Sequence, residues 1–331
     1  MSKKTRFLLL MLLSMISVFF AEVISGSMKY PLLDLWGYFI VIPLYGLHTI
    51  ILLYIIVRTN ENKRILFSTL YFAGVLFGLY EAYLTKVLWV GLSPEKFMFL
   101  ELSIIDFIVL VFFWHPIFSF IIPSLVFEKL MTNTDYIYQG LPKLVRSILE
   151  TKIGIVILFI VIGAFSAFNG LSMDGLFLSL ITMSGPIILI IYLFRRKDIH
   201  LKYSLSEILP SKRGIIFCSV YLTLIYLFLT FTVSFEVLTL SNQIVIWVNY
   251  LIFGFIFYRK VMNNTKEASS LPNSIPISFL TIITYLYILI ISGSLFVLVF
   301  WLLGIKDVFA IVTWISWIVI GMYLLIYSAF R

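Results

Sequence analysis

The chain carries one cysteine in 331 residues, Cys218, and it lies inside an apolar run. A lone thiol cannot close a disulfide within the chain, and thiol-ligated zinc needs several. Charge is scarce too. Asp, Glu, Lys and Arg together make up 12% of the residues, against about 25% in soluble domains. Gly-rich phosphate loops, Walker patterns, haem-attachment motifs and His-Glu-x-x-His are all missing. These absences remove the usual sequence signals of nucleotide, haem and zinc-protease chemistry. The net charge of +8 has no basic patch interleaved with aromatics behind it. Membrane orientation explains it better than a nucleic-acid partner.

What the chain has in abundance is apolar residues, 62% of the total. A membrane span needs about 20 mostly apolar residues. Ten such runs are expected, at about 7–26, 35–57, 65–90, 102–127, 153–169, 175–194, 214–235, 241–258, 276–303 and 308–330. The fold class is therefore all-α, a polytopic integral membrane protein of about ten helices (range 8–10), placed in the cell membrane with the lipid bilayer as its main partner. The start resembles a signal peptide, but its small-x-small cleavage pattern is poor, so a retained first span is expected. Of the 24 Lys and Arg, all but Lys29, Lys86, Lys96 and Lys306 fall in segments that alternate to one side. By the positive-inside rule both termini are then cytoplasmic.

Three regions follow: residues 1–130 with four spans and most intramembrane polar groups, a loop at 131–152, and six apolar spans at 153–331. In the loop, Leu141, Leu144, Val145, Ile148 and Leu149 recur at helical spacing around Lys143 and Arg146. That predicts a short helix lying on the membrane surface. Ser204 to Glu207 reads as a capping box opening a second short helix that stops near Pro210.

The first four spans hold Glu22, His48, Glu81, Lys86, Asp106 and His115, with Glu128 at the inner edge. A charge at mid-span costs at least about 2.5–3.5 kcal/mol on insertion scales, so such residues usually mark function. Glu81 and Lys86 are five apart, about 140° around a helix of 3.6 residues per turn. That spacing is poor for an intrahelical pair. Lys86 is read as snorkelling beside Trp89, which leaves Glu81 in need of a partner on another helix. His48 and His115 share its approximate depth, and Ser119 lies one turn from His115. Asp106 reads as surface-exposed, Glu128 and Lys129 as an interfacial pair.

The substrate- or proton-binding candidates are thus Glu22, His48, Glu81, Lys86, His115 and Ser119. One chemistry they suit is binding or transport of a polar solute or protons through an outward-facing cavity. Another is an intramembrane hydrolase, with Glu81, His48 and His115 as candidate ligands of a divalent metal. A third is a subunit without chemistry of its own, using its apolar second half to meet a membrane partner or a second copy.

The runs "AEVISGS" (21–27), "LYG" (44–46), "GLYEAYLTK" (78–86) and "HPIFSFIIPSLVFE" (115–128) resemble an uncharacterised family of prokaryotic multi-span membrane proteins. The resemblance covers about residues 20–130. It marks Glu22, Ser25, Tyr45, Gly46, Glu81, Lys86, His115, Ser119, Pro123 and Glu128, and it implies no known activity. A degenerate likeness to CAAX-type intramembrane proteases is also present. Their Glu-Glu-x-x-x-Arg becomes Glu81, Ala82 and Lys86 here, and Val111 stands where Phe should precede His115.

Overall fold

The computed structural model describes residues 1–60, 63–91, 97–168, 173–232, 236, 238–267 and 278–330. Lys96 and Arg331, both used in the orientation argument, lie outside the described residues. Among the described residues, nine helices are long and apolar enough to cross a membrane: Lys3–Val23, Gly37–Thr59, Phe67–Leu84, Ile104–Met131, Leu178–Arg195, Lys212–Thr232, Leu240–Asn264, Leu280–Leu303 and Lys306–Phe330. The remaining expected span, Lys152–Phe168, is the shortest at 17 residues. It is bent by 101° from the helix Lys143–Glu150 before it, and counting that pair as one span makes ten. We number the spans one to ten in chain order, Lys152–Phe168 being the fifth. The chain is an all-α polytopic membrane protein. The one piece of sheet among the described residues is a hairpin pairing Met98–Phe99 with Leu102–Ser103.

Loops that the charge pattern assigns to one side do meet at one end of the bundle. Arg6 donates to the Glu207 carbonyl at 3.3 Å, and Ile65 N–H to the Tyr136 carbonyl at 2.9 Å. Asn133 N–H donates to the Tyr203 carbonyl at 3.1 Å, and Lys260 Nζ to the Ala329 carbonyl at 2.9 Å. Asn264 ties two spans to a third there. Its side chain accepts the Leu66 N–H, one of the unpaired donors at the start of span three, and donates to Asn60 Oδ1 at 2.6 Å. The capping box at Ser204–Glu207 is present and opens the helix Leu205–Ile208, which ends before Pro210. Helix Lys143–Glu150 keeps Leu144 and Ile148 exposed. Its right-angle turn into span five suits a helix lying in the membrane surface.

Three departures from the expected fold matter. Span three is not one helix to residue 90. It breaks after Gly78, resumes at Glu81–Leu84, and restarts at Val87–Val90 after Lys86, whose φ of 61° is left-handed. The 140° argument for Glu81 and Lys86 assumed a regular helix and does not apply, although no ion pair joins them. Asp106 is buried rather than exposed, with Ser103 Oγ donating to it at 2.5 Å. Glu128 does not pair with Lys129. It is buried and accepts the N–H groups of Ile137 and Tyr138 at 3.0–3.2 Å, capping the turn at Tyr136–Gly140, while Lys129 pairs with Asp135 at 2.6 Å. The reason is local: the loop folds back over the end of span four and brings orphan backbone donors to the carboxylate. Cys218 is half-buried, with no partner thiol in the chain.

Candidate functional site

The site starts with two glycines and a proline. Gly74 and Gly78 lie one turn apart on span three. A Cβ at Gly74 would stand 2.4 Å from Pro116 Cα, and one at Gly78 would stand 3.1 Å from His115 Cβ and Val111 Cα. Small residues at this spacing let membrane helices approach closely. Span four therefore lies against span three at the point where it carries His115. Pro116 has no N–H to give, so the Phe112 carbonyl loses its usual helical donor. Tyr71 on span three supplies one, its hydroxyl donating to Phe112 O at 2.8 Å. Around Pro116 the helix widens into a π stretch from Ile108 to Ile121. Such segments are rare and concentrate at functional sites. A second one, Phe19–Val23, carries Glu22.

Glu81 and His115 meet in this setting. His115 Nε2 donates to Glu81 Oε1 at 2.8 Å, and Ser119 Oγ donates to His115 Nδ1 at 2.8 Å. Glu81, His115 and Ser119 are 4%, 1% and 0% exposed. Thr85, at the end of the short helix Glu81–Leu84, donates to the other oxygen of Glu81. Trp89 Nε1 donates to the Ala82 carbonyl at 2.8 Å and occupies one acceptor of that helix. The span thus unwinds where its carboxylate must turn toward span four.

The chain of polar contacts continues to Glu22. Tyr45 on span two donates to the Glu22 carboxylate and is hydrogen-bonded to the Tyr80 hydroxyl. The Tyr80 hydroxyl also interacts with the Glu81 carboxylate. Glu22, Tyr45, Tyr80, Glu81, His115 and Ser119 therefore form one path over four spans. Ser17 on span one closes the far side, donating to the Ser119 carbonyl at 2.7 Å.

His48 belongs to a separate arm. Its Nδ1 donates to the Leu44 carbonyl at 2.7 Å, and its Nε2 accepts from Tyr226 at 2.9 Å. Tyr226 in turn is bonded to Tyr250 at 3.0 Å. The imidazole stacks on Phe77, with centroids 4.7 Å apart, and Phe77 also stacks on His115 at 5.9 Å. So His48 is near the path but not a member of it. Lys86 is half-buried beyond the second break. The rings of Tyr45, Phe77 and Tyr80 stand against His115 beside the carboxylate. The large cavity that the structure records is elsewhere, lined by Ile16, Leu125, Lys129, Leu158 and Ile187 among others.

Among the described residues, no three His, Cys, Asp or Glu side chains converge to hold a metal. Glu81 and His115 are adjacent, but both ring nitrogens of His48 are engaged with other partners. The donor set does not fit the divalent metal considered from sequence.

Tyr45 is marked by the family resemblance, but Tyr80, Tyr226 and Tyr250 pass in the sequence as apolar bulk, although a phenol buried at a carboxylate's depth needs a hydrogen-bond partner. The sequence reading also passed over "GVLFG", Gly74 to Gly78, whose two glycines announce the close crossing.

No solved structure matches the chain. A protein of Archaeoglobus fulgidus described as "Uncharacterized protein" is 33% identical over 254 residues, covering 75% of each chain. A family model described as "Uncharacterized membrane protein family" matches residues 10–330, so the polar path and the six spans after it lie within one family unit. The chain belongs to that family of uncharacterised membrane proteins.

Proposed function

We propose that the protein is a proton-coupled membrane transporter whose proton-binding site is the Glu81–His115 pair. The observation that carries this reading is the path from Glu22 through Tyr45 and Tyr80 to Glu81 and His115. Every member can both give and take a proton in one of its protonation states. Chains of Asp, Glu and His inside membranes are the usual material of proton relays. Tyr45 and Tyr80 stand between the two carboxylates, so a proton reaching Glu22 can be handed on through their hydroxyls. The half-buried Glu22, near Ser25 and Ser27, is the end through which it would exchange. The Glu81–His115 pair is the enclosed end.

The solute moves through a state in which the packed rings of Tyr45, Phe77 and Tyr80 separate. Purified protein in detergent should take up a proton on acidification. Infrared difference spectra should show a carboxylic-acid band that Glu81→Gln or Glu22→Gln removes. In vesicles loaded with a pH dye, the wild type should acidify the lumen when the coupling solute is supplied, and Glu81→Gln should not. Identical proton uptake and identical spectra in wild type and a correctly folded Glu81→Gln protein would refute the proposal.

A further inference from the structure

A cavity of about 430 Å³ lies between the first, fourth, fifth, sixth and ninth spans, apart from the proton path. It is within the usual size of ligand sites, about 300–1,000 Å³. Its wall is almost wholly hydrocarbon. Phe20 and Ile162 line it deep in the bundle, and Val145 and Leu149 line it at the basic end. Water would find few of the two to four polar partners it needs there. The rim is different. Lys129 is the charged lining residue, held between Asp135 at 2.6 Å and the face of Tyr138 at 3.9 Å. Lys143 and Lys152 stand exposed on and just after the surface helix, and Arg146 is bonded to Gln139 at 3.0 Å. Against these four basic groups stand Asp135 and Glu150. Glu128 is sealed below by its backbone cap. The site is thus an apolar slot under a surface helix, with a net positive mouth.

We infer that this cavity holds one hydrocarbon chain of an anionic membrane lipid, with the headgroup on the basic rim around Lys129, Lys143 and Lys152. Two observations select this occupant. The slot runs from the bundle interior to the basic end, so a chain can lie along it while its headgroup stays at the interface. The excess of basic groups at the mouth matches an anionic head. A neutral lipid would fill the slot equally well but gain nothing at the rim.

Native mass spectrometry of the full chain tests this. The detergent micelles carry equal amounts of phosphatidylglycerol and phosphatidylcholine with matched chains. Wild type should retain one phosphatidylglycerol under activation that strips phosphatidylcholine. Ile187→Trp and Leu286→Trp fill the slot from two walls and should lose that adduct. Leu189→Trp, on the exposed side of the same helix as Ile187, should keep it. Lys143→Gln with Lys152→Gln should lower the preference for phosphatidylglycerol roughly fivefold per charge removed. Equal retention of the two lipids by wild type overturns the inference, and so does an undiminished adduct in the slot-filling variants. Should those variants fail to fold, the exposed double lysine variant decides alone: an unchanged preference is fatal and a lowered one supports it.

Discussion

The first four spans and the last six are built for different surroundings. Of the residues in the apolar window of span three, 89% are buried inside the protein; in the seventh span, Lys212–Thr232, the share is 11%. Span four, 72% buried, is as apolar as the seventh, so hydropathy alone does not separate the two regions. The difference follows from what each must shield. Spans one to four carry carboxylates, imidazoles and phenols that lipid cannot solvate, and they wrap them in one another. The later spans carry mostly Ser, Thr and hydrocarbon, which lipid tolerates because each hydroxyl can bond to its own helix. Thr284, for example, donates to the Leu280 carbonyl at 2.9 Å. Exceptions are Tyr226 of the seventh span, which reaches His48, Tyr250 of the eighth, which bonds to Tyr226, and Asn264, which ties the eighth to spans two and three. Compared span by span, the helices that carry ionisable groups are the more buried ones.

The largest test of that contrast is to strip one member of the buried pair. Glu81→Ala leaves His115 buried without its acceptor. Breaking a buried pair by removing one partner costs about 3–5 kcal/mol. Thermal unfolding in detergent should show a large loss, and adding His115→Phe should recover part of it, since the stranded group is gone. Thr284→Val on span nine should leave the unfolding temperature unchanged. Equal behaviour of Glu81→Ala and Thr284→Val would erase the distinction between the two regions.

Glycines give a second comparison of nearly the same size. At Gly74 an added methyl meets Pro116 Cα at 2.4 Å, which is backbone and cannot step aside. Gly74→Ala should cost about 1–3 kcal/mol, as overpacking usually does, and should loosen the Glu81–His115 contact. Gly254 on span eight has nothing within 4 Å of an added Cβ. There the substitution relieves only the helical cost of glycine, so Gly254→Ala should stabilise by about 0.5–1 kcal/mol. The sign of the two effects, read from parallel melts, is the measurement.

How far this arrangement was legible in the sequence depends on the range of the interaction. Apolar runs and the Lys and Arg alternation are local and statistical, so they showed the span positions. The depth of Glu81 and His115 followed from counting residues along two spans. Their contact did not, because depth leaves rotation about the helix axis open. The glycines facing Pro116 and His115 set that rotation. Asp106 and Glu128 were misjudged for a related reason. Both were placed by distance from a span end, which cannot foresee a hairpin or a loop folding back over them. The break at Leu79–Tyr80 was invisible too, since a single glycine such as Gly78 is tolerated inside a helical pattern.

The tyrosine links should have intermediate effects that differ between the two arms. Tyr45→Phe removes the bond to Glu22 and the contact with Tyr80 together, leaving buried oxygens unpaired at about 1–3 kcal/mol. It should also remove the carboxylic-acid band from the infrared spectra, though the ring still fills its place. Tyr226→Phe takes one donor from His48, and interhelical hydrogen bonds in membranes average about 0.6 kcal/mol. It should lower stability slightly and leave the proton signal intact. If Tyr226→Phe abolishes that signal, the His48 arm is part of the path, and the boundary between the two regions runs through the later spans.

The smallest effect expected lies outside the membrane, in the loop between spans six and seven that rests against the first region. Glu207 completes the capping box with Ser204, accepting its backbone N–H at 2.8 Å, and the loop rests on span one through Arg6. The backbone N–H and the hydroxyl of Ser204 hold the Glu207 carboxyl below the usual carboxylate range. A depressed folded value means the carboxylate form stabilises the fold. That contribution is fully present above the unfolded value and is lost as the pH falls through the folded one. The group is largely exposed, so the loss is small, at most a fraction of the about 0.5–2 kcal/mol assigned to helix caps. Melts of wild type and Glu207→Gln should therefore differ slightly at neutral pH and coincide in acid. A difference that instead grew as the pH fell would mean that the loop is held by something other than its cap.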